Sequence, residues 1–268
     1  MGAPRVYRAT GIVLARFDLG EADRVLTILS PEHGKIRAIA KGVRRPGSRI
    51  GGSVEPFAEL DLLLSRGRTF EVVSQVAIRH AWLDLRDRLE STATAWYLGE
   101  LADRAVEDRV ESAPGYAILR HSFVLLDAAL PPGRVARWAE TELADALGMR
   151  PEVERCVECD RPLDAEGTFR WAAVLGGVLC DRHPAPPGAA AIPLSLDALK
   201  LLRAYRRLDP ESLAALRIPA QTEGEVERAM RAFIRHVLER DPRALGFLDE
   251  VRAGERAGRG TQRDTGNS

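Results

Sequence analysis

The chain has 268 residues, 45% of them hydrophobic and 29% charged, and its 39 basic and 39 acidic side chains give a formal net charge of zero. That composition excludes a disordered chain, and the length allows two domains with cores of their own. No run approaches the roughly twenty apolar residues that span a bilayer, and the opening MGAPRVYRATG lacks a signal peptide's apolar block, so a cytoplasmic protein without a membrane partner is expected.

The first 80 residues read as strands. Short apolar runs occupy Gly11 to Phe17, Arg24 to Leu29, Lys35 to Ala40, Glu59 to Leu64 and Phe70 to Val76. Pro31-Glu-His-Gly34 is a tight-turn sequence between the second and third, which should form a hairpin. Five short strands without a strong helix between them fit a small closed barrel, for which the five-stranded oligonucleotide-binding (OB) fold is the expected form. The first domain is therefore placed at residues 1–80, an OB-fold domain.

The charge of this part is lopsided. Residues 1–80 carry 13 basic and 8 acidic side chains, leaving 26 and 31 for the rest, so the zero total hides a basic N-terminal module. Arginine abundance alone means little here, because 36 of the 39 basic residues are arginine. The run from Gly34 to Val54 differs in holding Lys35, Arg37, Lys41, Arg44, Arg45 and Arg49 with no carboxylate among them. Lys35 and Arg37 alternate on the third strand and should share a face, which the other four extend into a glycine-containing loop. One cationic groove for a polyanion is the expectation, with nucleic acid first. Tyr7, Phe17, Phe57 and Phe70 are the barrel's aromatics and are expected mostly in its core, so phosphate contacts should outweigh base stacking.

From Ala81 the spacing becomes helical, first through Ala95, Leu98, Leu101, Ala102 and Ala105, then over about 114–130, 134–148, 195–206 and 224–239. A helical domain is assigned to 81–252. The residues after it, 253–268, are rich in Gly and Arg with almost no apolar anchor, and a disordered tail is expected there. Within the helical part lie Cys156-Val-Glu-Cys159 and Cys180-Asp-Arg-His183, which hold all three cysteines of the chain. Two chelating pairs of thiolates and an imidazole match a tetrahedral Zn²⁺ site, so one structural zinc per chain is expected in segment 153–186, with Cys156, Cys159, Cys180 and His183 as ligands. Gly167 to Trp171 and Gly176 to Leu179 could supply a zinc-ribbon-like hairpin between the pairs. A disulfide would leave one cysteine over, and four protein ligands leave no open position for a catalytic water. The fold class is thus α+β multidomain, an N-terminal five-stranded OB barrel followed by an α-helical domain with an inserted zinc-ribbon-like element.

Catalytic patterns are missing. Gly42-Val-Arg-Arg-Pro-Gly47-Ser48 has a P-loop's outline but lacks its lysine, and Pro46 removes a backbone N–H. His33, His80, His121 and His236 stand singly, as surface or packing residues do, and no enzyme activity is expected.

Thr10-Gly-Ile-Val-Leu14, Gly20-Glu-Ala-Asp-Arg24, His33-Gly-Lys-Ile-Arg37, Ala40-Lys-Gly-Val-Arg44 and Glu55-Pro-Phe57 together resemble the N-terminal domain of the RecO family of bacterial DNA repair and recombination mediators. The Cys-x-x-Cys and Cys-x-x-His pairs resemble that family's zinc-bearing members. The resemblance implies a protein that binds single- and double-stranded DNA, anneals complementary strands without ATP, and helps RecA replace single-strand-binding protein, in company with RecR. It also implies a nucleoid-associated place in the cytoplasm, and an apolar, basic-rimmed hollow in the helical part for the acidic C-terminal tail of single-strand-binding protein. Read without the resemblance, the residues also fit a non-enzymatic protein-interaction scaffold, or an RNA-binding factor built from a barrel and a zinc ribbon.

Overall fold

The computed structural model describes residues 5–48, 50–164, 167–184 and 190–264, the last nine of these through their backbone alone. Five strands open the chain: β1 (Val6–Leu19), β2 (Asp23–Ser30), β3 (Gly34–Ala40), β4 (Glu59–Ser65) and β5 (Glu71–His80). They close into a barrel of order β1-β2-β3-β5-β4, as the spacing predicts.

Closure depends on the length of β1. Its first half pairs antiparallel with β4, from Val6 opposite Ser65 to Ile12 opposite Glu59, and its second half pairs with β2, with a register shift between Val13 and Ala15. A bulge there bends the strand from one neighbour to the next. Alternate side chains fill the interior, among them Val13, Leu26, Ile28, Ile36, Leu60, Leu62 and Leu64. Gly34 ends the β2–β3 turn at φ +61°, and a Cβ there would lie 1.9 Å from the carbonyl oxygen of Val110, so both the turn and the neighbouring loop demand glycine.

The chain forms two compact units. One comprises residues 1–129 with 243–268, the other 130–242. The barrel ends at His80, yet the unit that contains it also holds α1 (Leu83–Asp87), α2 (Leu89–Ala105), α3 (Ala113–Asp127) and α8 (Ala244–Asp264), a grouping that a division at residue 80 does not capture. The reason is the outer face of β1 and β2. Ile12, Leu14 and Leu29 point away from the barrel core and are nevertheless buried, because α2 and α3 lie over these strands. Glu59, 1% exposed, joins barrel to helix by accepting from Tyr116 Oη at 2.6 Å and lying 2.7 Å from His80 Nδ1, with Arg120 Nε at 3.2 Å.

Helix α8 runs into the segment expected as a tail. The backbone is helical to Asp264, and residues 265–268 lie outside the described residues. Leu245, Leu248 and Val251 anchor its first turns, and extending an anchored helix needs no new nucleus. Its N-terminus is held by Glu100, whose carboxylate accepts from the backbone N–H of Arg243 (3.0 Å) and Ala244 (2.8 Å). Burial alone would raise the Glu100 carboxyl, but those two N–H groups and Arg104 outweigh it and hold the carboxyl below its ordinary value. Glu100→Ala should therefore cost about 1 to 2 kcal/mol of stability at neutral pH. Because the folded-state value is lowered, this contribution is present above the ordinary carboxylate range and fades as pH falls through the lowered value. Urea unfolding of the two proteins at pH 7 and below pH 4 checks it. Equal midpoints at pH 7 would mean that apolar contacts alone hold α8.

The second unit contains α4 (Pro132–Ala146), α5 (Leu196–Arg207), α6 (Pro210–Ala215) and α7 (Ala220–Leu238). Ser195 caps α5 by accepting from Ala198 N–H, and Asp209 caps α6 by accepting from Ser212 N–H. A small antiparallel sheet of β6 (Phe169–Ala172), β7 (Gly177–Leu179) and β8 (Ile192–Leu194) has the order β7-β6-β8. Its first two strands are the hairpin expected from spacing; β8 is an addition that pairs Ile192 with Trp171. Trp171 is fully buried and meets Phe233 of α7 edge to face at 6.0 Å. No helix among the described residues is long and apolar enough to cross a membrane.

Candidate metal centre and nucleic-acid interface

Cys156 and Cys159 stand on one tight turn, closed by Asp160 N–H donating to the Cys156 carbonyl, with Asp160 at φ +56°. Cys180 and His183 stand on a second, closed by His183 N–H donating to the Cys180 carbonyl. Pairing of β6 with β7 delivers the second turn, and Val157 N–H bonding to the Val178 carbonyl sets the first against it. The four ligand atoms all lie within 4.8 Å of one another. Cys159 Sγ is 3.9 Å from Cys180 Sγ, Cys156 Sγ 3.8 Å from His183 Nδ1, and Cys180 Sγ 3.3 Å from His183 Nδ1. Metal–sulfur bonds of about 2.3 Å require tetrahedral edges of about 3.8 Å, so the set is spaced for one ion, and 3.9 Å is far beyond a disulfide bond of about 2 Å.

The site also favours thiolate. Burial opposes ionisation of Cys156, but backbone N–H groups of Cys180, Cys159 and Glu158 overcome it and bring the thiol down to about 6. Cys180 goes the other way, raised first by burial and then by its sulfur neighbours. One thiolate forms readily and the next resists, which is the electrostatic situation that a cation between them relieves.

The cationic run has a different outcome, because β3 separates its members. Lys35 and Arg37 do share the outward face, since Gly34, Ile36, Ala38 and Ala40 are buried. Lys35 is nonetheless only 12% exposed and sits among acceptors, 3.2 Å from Asp103 and 3.3 Å from Asp108, with Nζ donating to the Asp103 carbonyl at 2.6 Å. The segment after α2 lies along β3 there, with Arg109 N–H bonding to the Lys35 carbonyl. Arg37 is 56% exposed with Asp108 at 3.9 Å. Six residues of strand, about 20 Å, separate Lys35 from Lys41.

Lys41, Arg44 and Arg45 gather instead at the other end of the barrel, beside the β1–β2 turn. Gly42 N–H donates to Asp23 Oδ1, Arg44 N–H to the Ala22 carbonyl, and Val43 is buried in the barrel core, so the loop is pinned there. Arg44 lies 3.4 Å from Asp18, a carboxylate that also accepts from Arg24. Lys41 and Arg45 are exposed and have no ion pair among the described residues, and Arg49 lies outside those residues. The cations expected in one groove therefore stand in two groups at opposite ends of β3, of which the Lys41–Arg45 end presents the more accessible charge.

Two features escaped the sequence reading. Phe17, one of the four aromatics expected mostly in the core, is 52% exposed at the same end as Arg44, although β1 still pairs with β2 there and sets Phe17 opposite Val25. A groove of about 730 Å³ crosses β1, β4 and β5, with Arg8 and Arg79 among its lining. These arginines lie 71 positions apart in the chain and form no run, so charge clustering along the sequence could not have found them.

Comparison with known proteins follows this geometry. Residues 4–82 match the family described as Recombination protein O N terminal, and residues 86–246 match Recombination protein O C terminal. The chain is 41% identical over 248 residues to the DNA repair protein RecO of Roseiflexus sp. (strain RS-1), covering 92% of this chain and 87% of that protein. It is 33% identical over 252 residues to the DNA repair protein RecO of Pelotomaculum thermopropionicum (91% and 94% covered) and 32% identical over 248 residues to that of Moorella thermoacetica (92% of each).

Proposed function

The chain belongs to the RecO family, whose role lies in DNA repair and recombination, and we propose that it acts there as a non-enzymatic mediator which binds single- and double-stranded DNA and anneals complementary strands without ATP. The observation that carries this reading is the cationic end of the barrel, where Lys41, Arg44 and Arg45 stand exposed on a loop fixed by Val43. Cations on a rigid support neutralise phosphates and leave base edges free. Two strands held in this way repel each other less and can still pair.

Assistance of RecA on strands coated by single-strand-binding protein, with RecR as companion, is proposed from family membership alone. An apolar hollow of about 510 Å³ between β1, α2 and the start of α8, lined by Leu14, Trp96 and Phe247, has the lining that a hydrophobic peptide tail needs. Its charged lining is Arg243 against Glu100 and Asp103, so charge does not favour an acidic tail at this place. The metal is proposed to be Zn²⁺, held by Cys156, Cys159, Cys180 and His183, because three thiols and an imidazole at these spacings are its preferred donors. Four protein donors close the coordination shell, and the ion's contribution is to join the two turns.

Annealing of complementary strands by the purified protein, without nucleotide and across a salt series, tests the reading. Rapid annealing that declines steeply with salt is expected. Weak, salt-insensitive DNA binding without annealing would transfer the barrel to the protein-scaffold class.

A further inference from the structure

At the end of the barrel opposite the Lys41–Arg45 loop, a cavity of about 180 Å³ has Tyr7, His33, Arg66, Glu71 and Arg109, distant in sequence, among its lining residues. The rings of Tyr7 and His33 meet edge to face at 4.9 Å, and the Arg66 guanidinium lies over the Tyr7 ring at 5.4 Å. Glu71 is 4% exposed, and its Oε2 has no hydrogen-bond partner among the described residues. Its Oε1 stands 3.6 Å from Arg109 Nη2, beyond hydrogen-bond length. A buried carboxylate with unfilled acceptor capacity is costly, and this one lines a cavity with Arg109 as its ion-pair partner.

We propose that this cavity is a base site that takes a cytosine of single-stranded DNA. The inference rests on the DNA-binding reading above and adds to it a place where the base, and not only the phosphate, is recognised. Size selects first: about 150 Å³ suffices for a benzene ring, so the space suits one pyrimidine and is small for a purine. Edge chemistry selects second. Cytosine presents an amino donor beside two acceptors, which matches a carboxylate beside a guanidinium, so Glu71 accepts from the amino group while Arg109 donates to the neighbouring ring acceptors. Thymine presents acceptor, donor, acceptor and would set a carbonyl oxygen against Glu71. The Arg66–Tyr7 layer offers a stacking surface for the base.

The strand's backbone has a path to this cavity. The groove across β1, β4 and β5 shares Glu32 and His33 with it. Arg8 in that groove is exposed without an ion pair among the described residues, and Arg79 is 47% exposed while paired to Asp61 at 2.8 Å. Both can reach phosphates.

Binding of oligo(dC) and oligo(dT) of equal length, measured by fluorescence anisotropy at one salt concentration, tests the proposal. The protein should prefer oligo(dC) by about tenfold, and Glu71→Gln should reduce that preference to about twofold or less by weakening oligo(dC) alone. A purely structural Glu71 would shift both affinities together. If Glu71→Gln unfolds the barrel, Arg109→Ala answers in its place, since that side chain is 61% exposed, and it should also erode the preference. Equal affinities in the unaltered protein, or a preference that survives in the variants, would overturn the base site and leave the DNA-binding reading standing. No binding to either oligonucleotide would remove both.

Discussion

Charge reversal at Arg44 and Arg45 together is expected to lower affinity for single-stranded DNA by about two orders of magnitude and to reduce the slope of log K against log salt by about 1.4, the share of two phosphate contacts. Fold stability should be almost unchanged. Both side chains are exposed, and the loop is held by Val43 in the core and by backbone bonds to Asp23 and Ala22. Lys35→Met should behave in the opposite way. It removes the cation between Asp103 and Asp108 at a site only 12% exposed, so it should destabilise the barrel and leave the salt slope nearly intact. Salt titrations and thermal melts of both variants give a two-by-two comparison. If the reversal leaves binding unchanged, this loop has no part in DNA contact; if Lys35→Met flattens the slope instead, the DNA path runs over the opposite end of β3.

Loss of the proposed metal is expected to have the second large effect. Cys156→Ser, or treatment with a strong chelator, should release one zinc ion per chain and loosen the segment that carries β6 and β7. The two turns are joined through the ligand cluster, the Val157–Val178 bond and the bonds of Glu152 to Gly176 and Val178. Structural zinc sites in small peptides contribute about 10 kcal/mol or more. Here Trp171 and Val178 are fully buried and Leu163 is 4% exposed, so part of the structure should persist and the loss should be smaller. Metal analysis with hydrogen exchange follows both consequences: exchange should rise around residues 152–183 while the barrel stays protected. An unaltered protein that carries no metal when purified without chelator would remove the zinc assignment.

Much of this architecture is a short-range property and could be read from the sequence. Strand alternation placed five strands, and their rims coincide with the observed ones to within a few residues except at β1, which begins at Val6 with a first half that pairs with β4 and leaves Val6 and Arg8 exposed. The helices of α3, α4, α5 and α7 followed from three-and-four spacing. The short helices α1 and α6 were missed because five or six residues hold too few apolar positions to show a period. The cluster of Cys156, Cys159, Cys180 and His183 was legible, since pairs of donors two residues apart are a local property that survives any fold.

What the chain alone determined is chemistry at fixed spacing: barrel strands, the Cys156–His183 ligand set, and an uncompensated cationic run. The tertiary structure decided which of those charges remain available. Carboxylates at 103 and 108, some seventy positions along the chain, return to Lys35 and occupy it, while Lys41 and Arg45 at the far end of the same strand have no ion pair among the described residues. It likewise brought Tyr7, His33, Arg66, Glu71 and Arg109 around one cavity. Charge and aromatic character belong to residues, but exposure and pairing belong to contacts between distant segments, and only closure of the barrel and the packing of the loop after α2 against β3 create those contacts.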